Sequence, residues 1–283
     1  MRLISAWSFD PASVAGLALA GGLYALGALR LRRSGGPRGL RPWQPLAFAA
    51  GWVVLLIALL SPIAVLSESL LSIHMTQHEL LMVVAAPLLV ISRPLGVCVW
   101  ALPLRMRLRV GRWTRRRGVA ATWGILTGAI TVWILHGVAL WVWHAPPLYQ
   151  AAVRDDRIHA LMHVCFLLTA TLFWWAVVHG RYGRLGYGIG VLYVFTTGLH
   201  ATVLGALMTI APRPWYPIYR ERAALHGVDA LADQQLAGLL MWVPFGAVFV
   251  VVGLALVAAW LGEAERRAGP AHSDRAGALT RSP

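Results

Sequence analysis

The chain has 283 residues, 58% hydrophobic and 13% charged, and a mean hydropathy of +0.65; soluble domains carry about 25% charged residues, so a soluble fold is excluded and an integral membrane protein is indicated. The net charge of +14 does not point to nucleic acid, because all 25 basic residues are arginine and they cluster between apolar segments. Two cysteines, Cys98 and Cys165, without CxxC spacing exclude a disulfide framework and a zinc ribbon.

A membrane span needs about 20 predominantly apolar residues. Such runs occur at residues 12–31, 45–65, 68–91, 121–143, 157–178, 186–210 and 234–261. The fold class is therefore all-α, a polytopic bundle of seven transmembrane helices. It forms one domain over residues 1–262, and the arginine-rich tail 263–283 is expected to be disordered. The first run is read as a true span and not a signal peptide, since Asp10-Pro11 precede it and Arg30, Arg32 and Arg33 end it. Tryptophans such as Trp43, Trp123, Trp143, Trp215 and Trp260 fall at segment ends, as interfacial belts require. With the N-terminus outside, 19 arginines lie inside and 6 outside. This bias orients the chain N-terminus out and C-terminus cytoplasmic.

The histidines follow the spans in an ordered way. The third span carries His74 and His78, with Gln77 on the same face and Met75 and Glu79 beside it. The fourth carries His136 and ends at His144, before Ala-Pro-Pro. The fifth carries His159 and His163, with Met162, Cys165 and Phe166, and ends at His179. The sixth carries His200. Four residues is about one helical turn, so each of the pairs His74/His78 and His159/His163 shares a helix face. At 1.5 Å rise per residue these four lie about 4–16 Å below the outer surface. A lone intramembrane histidine is ordinarily satisfied by an interhelical hydrogen bond worth about 0.6 kcal/mol. Two pairs at matched depth, with His136 and His200 in the same leaflet, point instead to a shared metal site. Imidazole with thioether or thiolate donors suits copper, above all the reduced ion. Glu79, Asp155 and Asp156 are candidates to fix imidazole tautomers. His144 reads as an interfacial residue before a proline-rich turn, and His200 as a proton carrier or gate.

Four stretches resemble a known family. They are His74-Met-Thr-Gln-His78-Glu-Leu-Leu-Met, Trp141-Val-Trp-His144-Ala-Pro146-Pro-Leu-Tyr149, His159-Ala-Leu-Met-His163-Val-Cys-Phe166, and Asp233-Gln234-Gln235-Leu-Ala-Gly238-Leu-Leu-Met241-Trp242. Their order and spacing are similar to the CtaG family of cytochrome c oxidase assembly factors, the seven-span type linked to caa3-type oxidase. The resemblance covers roughly residues 40–262. It departs at Ala237-Gly238, where the family pattern more often reads Gly–Gly, a change that preserves close helix packing. The resemblance implies a non-enzymatic copper chaperone of the respiratory chain, a multi-pass protein of the bacterial inner (plasma) membrane. It places the metal at His74, His78, His159 and His163, and puts Asp233, Gln234 and Met241 at the polar start of the last span.

The expected partners are cytochrome c oxidase subunits, a copper ion and the lipid bilayer, with no nucleic acid. His74, His78 and His163 form the expected inner set and His159 the fourth ligand, while Met75, Met162 and Met241 form a softer relay near the mouth. The loop 211–233 is expected to close over the opening as a lid. Such a site loses metal as pH falls, because imidazolium does not ligate. Three rivals share these residues: a haem b protein with axial imidazoles, a copper importer, and a di-iron oxygenase. The oxygenase ranks last because the boxes lie outside by the arginine bias. No catalytic triad, phosphate loop or dinucleotide fingerprint is present. The glycine-rich stretch from Tyr182 to Gly190 follows no strand and is read as a loop.

Overall fold

A computed structural model describes residues 7–34, 40–179 and 187–268, and every regular element among them is helical. The helices are α1 (Pro11–Arg33), α2 (Trp43–Leu60), α3 (Pro62–Ser67), α4 (Leu71–Glu79), α5 (Ala86–Ile91), α6 (Pro94–Trp100) and α7 (Leu104–Thr114). There follow α8 (Arg117–Leu126), α9 (Ala129–His144), α10 (Pro146–Arg154), α11 (Asp156–His179), α12 (Tyr187–Ile210), α13 (Ile218–Ala224) and α14 (Ala230–Ala268). Six helices, or continuous runs of helix, are long and apolar enough to cross a membrane, and the bent pair α8–α9 makes a seventh. This is a multi-pass membrane protein.

Local chemistry explains where the helices depart from seven uninterrupted rods. The second run breaks at Ser61-Pro62, where the Ser61 hydroxyl accepts from the Ile63 N–H at 3.2 Å and starts α3 with proline in its first turn. The fourth run bends by 55° between α8 and α9 at Thr127-Gly128. The third run stays continuous but widens into a π-helical turn, Leu80–Ala85, between α4 and α5. Pro87 is the cause: it has no N–H to give the preceding turn and its ring crowds the carbonyl four residues back. The Ala86 N–H bonds the Leu81 carbonyl, so the Met82 carbonyl has lost its helical donor. The indole N–H of Trp174 on α11 donates to it at 2.8 Å. The segment 92–120, between the third and fourth apolar runs, holds α6, α7 and the start of α8. No residue of α7 is buried.

The last helix extends through Ala268, past the expected end of the domain at residue 262. The rest of the expected tail, 269–283, and most of the stretch from Tyr182 to Gly190 lie outside the described residues. Helices α12 and α14 pack along their length. A Cβ on Gly238 would stand 2.5 Å from the Gly205 carbonyl oxygen, so glycine is what allows this approach. Neighbouring Ala237 is fully buried. Glutamine 77, expected on the histidine face, reaches instead to span two, where its amide donates to the Ala58 carbonyl at 2.7 Å.

Candidate metal centre

Helix α4 begins inside the protein, so its first N–H groups cannot turn to water. Its preceding residue, Leu70, offers no side-chain cap. The carboxylate of Asp233, in the first turn of α14, fills that role. It accepts from the Leu71 N–H at 2.6 Å, the Ser72 N–H at 3.3 Å and the Ser72 hydroxyl at 2.5 Å. Negative charge at a helix N-terminus is also favoured by the helix dipole. This cap fixes the start of the helix whose next turn presents His74 and, one turn later, His78.

Both are buried, His74 at 0% exposure. Their Nε2 atoms approach to 3.0 Å. With metal–nitrogen bonds of about 2.0–2.1 Å, that separation subtends roughly 95° at a shared ion. His163 of α11 joins them: one ring nitrogen from each of the three lies within 4.8 Å of the others. Two such bonds reach at most about 4.2 Å, so an ion needs a side-chain rotation of under about 1 Å to engage all three. His159, one turn before His163, has its ring 4.4 Å from His163 and 5.0 Å from His74. His144 closes the group from α9, with its ring 6.1 Å from His78. It is buried at 2% exposure rather than interfacial, because α10 folds back over it.

The hydrogen-bond partners determine which nitrogens carry lone pairs. The Ser67 carbonyl can only accept, and the Tyr219 hydroxyl donates to it at 3.2 Å. The Tyr219 oxygen therefore accepts from His74 Nδ1–H at 3.1 Å, which leaves His74 Nε2 with its lone pair toward the cluster. By the same logic His144 Nδ1–H donates to the Leu140 carbonyl at 2.7 Å, and the lone pair falls on Nε2. That Nε2 is buried without a partner, as are His78 Nδ1, His159 Nε2 and His163 Nε2. Buried polar groups are ordinarily paired. A cation shared among these rings would satisfy several of them at once.

The expected lid is ordered helix and loop. Tyr216 and Tyr219 are buried, Tyr216 just before α13 and Tyr219 in its first turn. The Tyr216 hydroxyl donates to the His144 carbonyl at 2.8 Å, and Arg222 donates to the Glu68 carbonyl at 2.7 Å. Gln234 anchors the loop from behind, accepting from the Trp215 N–H at 2.5 Å. Tyr149 of α10 completes an aromatic roof, stacked on Tyr216 at 4.1 Å and 3.3 Å from the Tyr219 hydroxyl. Burial pushes the hydroxyls of Tyr149, Tyr216 and Tyr219 above their ordinary value, so they remain protonated donors at neutral pH.

The other candidates separate. Met75 and Met241 are buried and border one narrow cavity with His78 and His144. Met162 is fully buried in the main core and does not line that cavity. His136 donates to Thr169 at 3.1 Å and stacks on Phe173, while His200 accepts from the Trp141 indole at 3.3 Å. Of the acids expected to fix tautomers, Asp155 instead caps α11, accepting from the Arg157 and Ile158 N–H groups at 2.8 and 3.2 Å. The tautomer-fixing groups are Tyr219 and the Leu140 carbonyl. Spacing gave no sign of Tyr219, which lies 145 residues from His74, whereas the Leu140 carbonyl lies one helical turn before His144. The only cue was the Trp-Tyr-Pro-Ile-Tyr cluster at 215–219 in the expected lid.

Comparison with known proteins places this architecture. The chain is 29% identical over 269 residues to uncharacterized proteins of Mycobacterium bovis and Mycobacterium tuberculosis, and 27% identical to one of Mycobacterium leprae. Each match covers 92% of this chain and 40% of the relative, so the chain spans about two fifths of the length of the curated relatives it matches. No solved structure matches. A family model described as cytochrome c oxidase caa3 assembly factor (Caa3_CtaG) matches residues 22–263. Carrying the four histidine-bearing and acidic stretches within that match, the chain belongs to the Caa3_CtaG family of cytochrome c oxidase assembly factors.

Proposed function

We propose that this protein holds a copper ion at His74, His78 and His163, assisted by His159 and His144, and delivers it to a cytochrome c oxidase subunit in the bacterial plasma membrane. The role is non-catalytic: the ion is cargo, bound and released by ligand exchange. One observation carries the reading, namely the convergence of three imidazoles from two helices beneath a tyrosine roof, with buried nitrogens of His78, His163, His159 and His144 left without hydrogen-bond partners. Neutral imidazoles suit copper, and the neighbouring Met75 and Met241 favour its reduced form.

The rings lie 4.4–6.1 Å apart in a packed group. That spacing offers no flat slot for a macrocycle and favours an ion over haem. Orientation follows the arginine bias. The lid end carries Arg154, Arg157, Arg213, Arg220 and Arg222, whereas the opposite end carries eight arginines between residues 92 and 120 alone. The lid end therefore faces outward, and the ion is taken up and handed over on the extracytoplasmic side. A strain lacking the protein should keep its oxidase polypeptides but lose copper-dependent oxidase activity, with rescue by excess copper. A His74→Ala/His163→Ala variant should behave like the deletion. Full oxidase activity in either strain would overturn the proposal. Inward copper flux in proteoliposomes would convert it to an importer.

A further inference from the structure

Among the described residues, helix α7 (Leu104–Thr114), at the end of the bundle away from the lid, stands uncovered. None of its residues is buried, and it packs mainly on its chain neighbours α6 and α8. Its level is set through α1. The Arg30 guanidinium, in the last turn of that span, donates to the Ala101 carbonyl at 2.6 Å. Helix α7 begins three residues later, so it starts where a span leaves the hydrocarbon. After it, α8 opens the bent pair that forms the fourth crossing.

The side chains of α7 suit that level. At about 100° per residue, Arg105, Arg109 and Arg112 fall within about 60° of the helix circumference and form one exposed row. Leu104 and Leu108 flank the row on one side, Met106 and Trp113 on the other, and all four are 52–58% exposed. Such apolar area is unfavourable in water and at home against acyl chains. Arg107 falls on the apolar arc, and its guanidinium lies over the Trp100 ring at 4.0 Å. An arginine row edged by leucine and tryptophan is the pattern of a helix lying in the plane of a membrane interface.

Charge selects what meets the row. Residues 92–120 hold eight arginines and no aspartate or glutamate. The acids at this end of the bundle, Glu263 and Glu265, sit on α14, whereas α7 packs on α6 and α8. The row is thus not neutralised within its own segment. Guanidinium pairs bidentately with phosphate, and lipid phosphates form the layer at which α7 lies.

We infer that α7 is an interfacial helix whose row of Arg105, Arg109 and Arg112 binds the headgroup phosphates of anionic phospholipid in the leaflet opposite the lid, with Leu108, Met106 and Trp113 seated among acyl chains. The surface ties the third and fourth spans to the charged face of the bilayer and stands independently of the metal reading.

Two measurements on the full chain in nanodiscs of equal phosphatidylglycerol and phosphatidylcholine test this. In a Cys98→Ser/Cys165→Ser background, nitroxides at Met106→Cys and Trp113→Cys should be reached by oxygen and shielded from an aqueous nickel chelate, and one at Arg109→Cys should show the reverse. Equal access of nickel to all three would overturn the inference, leaving the row free in water for an acidic protein surface. Native mass spectrometry then gives the ratio of phosphatidylglycerol to phosphatidylcholine kept by the released protein. Arg105→Gln/Arg109→Gln/Arg112→Gln should lower that ratio at least about fivefold, the value of one arginine at a membrane surface. Arg154→Gln/Arg157→Gln/Arg213→Gln, which removes the same charge at the lid end, should leave it unchanged. An unaltered ratio in the first variant, or equal losses in the two, would likewise overturn the inference.

Discussion

Replacing Tyr219 by Phe removes one oxygen atom and leaves the ring that roofs the cluster. That oxygen accepts from His74 Nδ1 at 3.1 Å, donates to the Ser67 carbonyl at 3.2 Å and lies 3.3 Å from the Tyr149 hydroxyl. Without it nothing holds the proton on His74 Nδ1, and the lone pair on Nε2 is no longer guaranteed to face the ion. Groups that orient a ligating imidazole are typically worth 10–100-fold in metal affinity, about 1.4–2.8 kcal/mol. The lid itself keeps its bonds from Tyr216 to the His144 carbonyl and from Arg222 to the Glu68 carbonyl. Copper(I) titration of the purified protein against a competing chelator should therefore show a 10–100-fold loss with the fold retained. Tyr149→Phe removes a hydroxyl that bonds the same oxygen and keeps the ring that lies 5.3 Å from His74, with no hydrogen bond to that imidazole lost, and should cost less. Parental affinity in Tyr219→Phe, or equal losses in the two variants, would refute the idea that Tyr219 sets the tautomer of His74.

Three more outcomes follow from the same contacts. Asp233→Ala removes the cap of α4 and should lower stability by about 2–3 kcal/mol, with weaker metal binding; Asp233→Asn, which keeps one acceptor oxygen, should recover part of both in thermal unfolding and titration. Gly238→Val drives a side chain into the Gly205 carbonyl and should destabilise the α12–α14 pair by about 1–3 kcal/mol or more. Gly246→Ala, whose new Cβ would sit 4.0 Å from the Thr202 hydroxyl, is the control expected to leave the melting temperature unchanged. The roof tyrosines hold their protons more tightly folded than unfolded, because burial raises them. The unfolded chain therefore loses protons first, and stability should fall as pH rises above about 10. A melting temperature flat from pH 9 to 11 would contradict that assignment.

The parts of this structure that hydropathy and one-turn spacing encode were legible in the chain. Seven apolar runs and the facing of His74 with His78 and of His159 with His163 depend only on neighbours in sequence. What escaped depends on pairing between distant segments. The cap on α4 comes from Asp233, about 160 residues away. His144 read as interfacial because it precedes Pro146, yet the return of α10 buries it against His78. The apolar run 68–91 reads as one unbroken span, whereas Pro87 opens a π turn in it whose freed Met82 carbonyl is met by the Trp174 indole from α11. Met162 shares a face with His163 by spacing; the packing of α11 sends it into the core instead.

Metal analysis of the purified protein after copper(I) loading, beside its His74→Ala/His163→Ala variant, tests the central claim most directly. The parent should bind a copper ion through imidazole nitrogens and the variant should lose it, while both keep the same helical content. A parent that takes up no copper, or a variant that binds it with undiminished affinity and nitrogen ligation, would contradict it.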